Sequence, residues 1–221
     1  MSGQFDNAMT MAMDAYKAGN KDECTSFCNQ ALTVDPKSAN AKALKGSAVL
    51  LSFTLAGAES EGAQAIEIWK SISDVSSLSD EFKDIVIEAA FSFRSNWLSA
   101  AEAHYNEFSS VSGAKDEYKR VKECYALFME NVAALSWIQS YPKFLQLTLG
   151  LVKEQIASLK EVTFAEYLIS VNKDKGGEIG DITKQIEEAL AKLKKRRLIK
   201  WGIIIGAAAI FLIICAIRNN S

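Results

Sequence analysis

Apolar side chains recur at intervals of three and four from Phe5 to Leu193, strand signals are nearly absent, and the chain has no Asn-Gly or Asp-Gly turn. A spacing near 3.6 collects such residues on one face of a helix, whereas a half-buried strand needs a period of two. The pattern predicts an all-α fold. With 49% hydrophobic and 24% charged residues, the 221-residue chain has enough of both to make buried and solvated helix faces. That balance excludes a disordered polymer.

The breaks between periodic segments set the element order. Phe5, Met9, Ala12, Met13 and Tyr16 share one predicted helix; Cys24, Phe27, Cys28, Ala31 and Leu32 share the next. Gly19-Asn20 supplies the turn between them, and Asp35-Pro36 ends the second, because proline disfavours helical geometry in the residue before it. Ser38 can cap a third helix reaching about Ala56. Further helices are expected over Glu61–Ile72, from Ser79 to about Phe108, from Asp116 to about Ser140, and from Tyr141-Pro142 to about Ile169. Residues 171–180, with Gly176-Gly177, read as a linker. Ile182, Ile186, Ala189, Leu190 and Leu193 then mark one amphipathic helix.

Charge divides the chain unevenly. Residues 1–191 hold 27 acidic and 18 basic side chains, a net −9, while the last 30 residues hold seven basic and no acidic ones. Leu198–Ile217 is apolar except for Lys200, and 20 helical residues span about 30 Å, the thickness of a bilayer core. The expectation is a C-terminal transmembrane helix over 198–217. A basic juxtamembrane helix over 181–197 would precede it, and a short translocated tail over 218–221 would follow. By the positive-inside bias, residues 1–197 would lie in the cytoplasm, at a bacterial inner membrane or, alternatively, a mitochondrial outer membrane or the ER. Lys194, Lys195, Arg196, Arg197, Lys200 and Trp201 would contact the bilayer and its anionic head groups. Gly202 and Gly206 form a GxxxG pair, a candidate face for homodimerisation in the membrane.

The first two predicted helices carry more specific information. The stretch Ala12-x-x-Ala15-Tyr16-x-x-Gly19, Cys24-x-x-x-Cys28-x-x-Ala31-Leu32-x-x-Asp35-Pro36 resembles a tetratricopeptide (TPR) repeat, a 34-residue helix–turn–helix unit. Ala12, Gly19, Ala31 and Pro36 match its small, turn and terminating positions, and Gly46 falls 34 residues after Ala12. Ala8, Ala15 and Cys28 stand where the family has aromatic residues, and the second unit is degenerate. The resemblance implies a stack of antiparallel helix pairs over residues 1–170. It also implies a concave groove lined by the first helix of each pair, with Asp6, Met9, Met13 and Tyr16 facing it. Methionine suits an adaptable apolar groove, although the same residues also suit a core. The Lys and Asn that clamp a peptide carboxylate in some TPR domains are absent: Met9 and Met13 stand there.

Signals for chemistry are sparse. The only histidine is His104, so a Ser–His or Cys–His enzyme would have to use it. Cys24, Cys28 and Cys124 lack zinc-ligand spacing and read as small apolar residues. No phosphate-binding glycine motif is present, and a body at −9 disfavours nucleic acid. No cofactor or metal is expected. The reading is therefore a membrane-anchored protein–protein interaction adaptor whose TPR-like domain recruits an unidentified protein or peptide. A membrane fusion, fission or apoptosis-type helical protein is the alternative, and an enzyme built on His104 ranks below both.

Overall fold

Gly19 ends the first helix in the left-handed region, φ 72°, where a side chain would be strained. Asn20 then caps the second helix by accepting the Glu23 N–H at 3.2 Å. In the computed structural model, which describes residues 2–154 and 159–196, this local chemistry yields helices throughout. They are α1 (Ser2–Lys17), α2 (Lys21–Val34), α3 (Ala39–Val49), α4 (Ala58–Lys70), α5 (Asp80–Phe108), α6 (Ala114–Ala133), α7 (Pro142–Glu154) and α8 (Leu159–Asn172). A 3-10 turn over Val75–Ser77 precedes α5, and a further helix, α9, includes residues 177–196. No strand occurs among the described residues, so the all-α expectation holds.

Several boundaries differ from the sequence reading. α3 stops at Val49 rather than near Ala56, because the Leu50 and Leu51 amides donate to the Ser47 and Ala48 carbonyls at 3.1 Å each. The chain that follows brings the Phe53 ring edge-on to Phe93, 5.3 Å between centroids. α6 likewise stops at Ala133, and the turns over 134–141 bury Leu135 and Ile138. The segment expected to run from Tyr141 to Ile169 contains two helices, α7 and α8.

Helices pack as hairpin neighbours, α1 on α2, α3 on α4, α5 on α6 and α7 on α8. They also pack in two series: α1, α3, α5 and α7 contact one another in succession, as do α4, α6 and α8. Small residues make the first helices close. Ala12, Ala15, Cys24, Cys28, Leu44 and Ala48 form one buried cluster, and Ala8, Ala31 and Ala41 form another. The main core runs from Ala39 to Leu190 and centres on Trp69, Phe93, Tyr125, Phe128 and Phe144. Ile182, Ile186 and Leu190 of α9 belong to this core, and only a short turn separates α9 from α8. A buried Asn172 fixes that corner. Its side-chain amide donates to the Gln139 and Leu168 carbonyls at 2.8 and 2.9 Å and accepts from Ser140 Oγ at 2.7 Å.

One expectation is corrected here. The sequence predicts a single-pass membrane protein, held by its C-terminus with its bulk in the cytoplasm. Among the described residues, no helix is long and apolar enough to cross a membrane. The longest, α5, has 29 residues but carries charges along its length, from Asp80 and Glu81 to Glu102 and Glu107, and α9 is amphipathic. The run 198–217, with Trp201, Gly202 and Gly206, lies outside the described residues, as do Arg197 and Lys200. The described helices therefore do not support the expected membrane placement.

Candidate partner-binding surface

The α1 residues singled out by the sequence divide into two kinds. Met9, Met13 and Tyr16 are half-buried and pack against the cluster that contains Leu44 and Ala48 of α3. Asp6 is exposed one turn before Met9. Phe82 and Ile85 of α5 pack on the same cluster and are also half-buried. The α1 stripe and the first turns of α5 thus flank α3 and leave apolar side chains partly open to solvent. These residues serve as core and as surface together.

Polar groups continue the surface along α5. Burial pushes the Tyr16 hydroxyl up to about 12, with the Glu88 carboxylate and the Cys24 thiol adding to the shift. Glu88 accepts from Lys143 Nζ of α7 at 2.5 Å, and Asp84 contacts the same ammonium at 3.0 Å. Burial works against the charge of Lys143, but these two carboxylates outweigh it and hold the amine above its ordinary range. Further along, α5 and α7 enclose a cleft of about 460 Å³ lined by Phe91, Ser92, Asn96, Leu147, Gly150 and Leu151. Leu147 is exposed there. The surface therefore runs from α1 across α5 to α7, alternating apolar patches with carboxylates.

A second cleft opens on the other series of helices. Between α4 and α6, about 280 Å³ is lined by Gly62, Ala63, Ile66, Trp97, Leu127 and Phe128, with Glu59, Glu67 and Lys70 at its rim. Sequence reasoning missed it. The available signal was Leu127, 51% exposed because it falls off the stripe of Val121, Tyr125, Phe128 and Val132 that α6 buries. The cleft is shallow because Phe128 and Phe93 fill the space over Gly62, 3.1 and 3.4 Å from where a Cβ would stand.

The remaining sequence candidates are placed as follows. Lys194, expected at lipid, pairs with Glu166 of α8 and so ties α9 to the body. Lys195 and Arg196 are exposed at the end of the described part of α9. His104 lies 4.8 Å from the Phe108 ring, ring to ring, and the small hollow beside it is lined by Leu55, Tyr105, Glu117 and Tyr118, with no serine or cysteine. Cys24 and Cys28 are fully buried; their mutual hydrogen bond and burial push the Cys28 thiol up, which leaves it a poor nucleophile. Among the described residues no group of three or more His, Cys, Asp or Glu side chains is arranged to hold a metal. No family model, curated protein or solved structure matches this chain.

Proposed function

We propose that the chain is a protein–protein interaction scaffold, a TPR-like helical stack that holds a segment of a protein partner on the face formed by α1, α5 and α7. The observation that carries this is the stripe Met9, Met13 and Tyr16. Its side chains are committed to the fold on one side and open on the other, beside Phe82 and Ile85. Helices that present apolar residues at i, i+4 and i+7 are suited to receive an amphipathic partner. The serial packing of α1, α3, α5 and α7, and of α4, α6 and α8, supports the repeat-like reading, since stacked repeats contact only their neighbours.

Affinity capture with the full chain tests the assignment. Met9→Glu combined with Met13→Glu places two charges on the stripe and is expected to weaken recovery of a specific partner by at least about tenfold. A variant with Met11→Glu, on the exposed opposite side of α1, is expected to bind as the parent chain does. Undiminished capture by the double variant, with its helical circular dichroism intact, contradicts the assignment of the face.

A further inference from the structure

We infer that the segment received by this face is a basic amphipathic helix. The inference rests on the docking reading above and adds the charge of the partner to it. Glu81, Ile85 and Glu88 occupy positions i, i+4 and i+7 of α5 and therefore share one helix face; both glutamates are exposed. Asp6 is exposed beside Met9 on α1, and Asp84 is half-buried beside Glu88. On the far side, Gln146 of α7 donates to Glu178 at 3.3 Å and so places another carboxylate at the margin. Against these five carboxylates stand Lys17 at the end of α1 and Lys143, which Asp84 and Glu88 already engage. The face is net negative and its floor is apolar.

An acidic segment laid there would meet like charge, and a neutral one would leave carboxylates to be desolvated without partners. A helix with apolar residues at i, i+4 and i+7 and lysine or arginine on both flanks satisfies both features. The stripe from Met9 to Tyr16 spans about 10 Å of helix, enough for two turns of such a partner. The basic residues set orientation and encounter, and the apolar ones fill the space between Met13, Tyr16 and Ile85.

The test uses the full chain and two 18-residue amidated peptides with the same leucine pattern, one flanked by lysine and the other by glutamate, read by fluorescence anisotropy. The lysine peptide is expected to bind at least about tenfold more tightly at 50 mM salt, with the gap narrowing at 500 mM as screening rises. Neutralising the face with Asp6→Asn, Glu81→Gln and Glu88→Gln together is expected to cut that preference several-fold. Because any body of net −9 attracts cations, Met9→Ser with Met13→Ser serves as the second variant; it keeps every charge and is expected to lose binding. Equal affinity for the two peptides, a preference for the glutamate peptide, or lysine-peptide binding that survives loss of the methionines overturns the inference. Tight binding of the glutamate peptide alone overturns the charge assignment and leaves the docking face standing, whereas binding of neither peptide overturns both.

Discussion

Gly46→Ala is expected to lower stability by about 3 kcal/mol, although glycine inside a helix ordinarily makes alanine the better residue by about 1 kcal/mol. The reason is Trp69. The Nε1 edge of its indole lies against α3, so a Cβ on Gly46 would fall 2.6 Å from Trp69 Cδ1 and closer still to Nε1. Trp69 is fully buried, and its Nε1 donates to the Ala43 carbonyl at 3.2 Å. The ring is one of the largest fully buried side chains in the core, so moving it would disturb close-packed neighbours. Alanine would therefore force α3 and α4 apart or break the indole hydrogen bond, a loss of roughly 1–2 kcal/mol in itself. Thermal unfolding should register a fall of about 6–12 °C for a chain of this size. A rise in midpoint would show that α3 and α4 are not packed through this contact.

Phe93→Ala is expected to cost about 4 kcal/mol, the largest effect of any single truncation considered. Phe93 is 1% exposed and stands at the centre of an aromatic group, with ring centroids of Phe53, Trp97 and Phe128 at 5.3, 5.4 and 5.1 Å. These edge-to-face and tilted contacts each add roughly 0.5–1.5 kcal/mol beyond area burial. The ring also joins the chain after α3 to α5 and α6, so its loss would loosen three elements together. Phe108→Ala makes the comparison. That ring is 39% exposed at the end of α5, and its removal should change stability by no more than about 0.5 kcal/mol. Denaturant unfolding of both variants gives the difference directly; equal losses would contradict the placement of the core.

The helical class was legible because periodicity is a local signal. Asn20 and Ser38 both act where the sequence places them. Gly46 was legible as a small residue at repeat spacing, but not as the platform for an indole 23 positions later, since only packing brings Trp69 there. The early end of α3 and the turns over 134–141 escaped notice for a related reason. Leu50, Leu135 and Ile138 are apolar and continue a helical pattern, while their backbones form turns. Arg94 gave no signal at all. It is fully buried inside α5, its guanidinium 5.3 Å from the Tyr125 ring centroid, at a position that periodicity alone assigns to the core.

The site was legible in part. Met9, Met13 and Tyr16 lie at the spacing of one helix face, and that is local information. Their neighbours are not local: Phe82, Ile85 and Glu88 arrive from α5, and Lys143 from α7. The net charge of the first 191 residues is acidic but does not show where the carboxylates gather. The two leucines left in clefts, Leu127 and Leu147, became informative only once α4, α6, α5 and α7 defined which faces are covered.

Site-specific photo-crosslinking in cells producing the full chain tests the central claim, that partners dock on the face of α1, α5 and α7. A benzoylphenylalanine residue would replace Met13 in one variant and Leu127 in another, so that the probe reports from either side of the stack. The account predicts a discrete protein adduct from position 13 that Met9→Glu abolishes, and none from position 127. An adduct from position 127 with none from position 13 would contradict it.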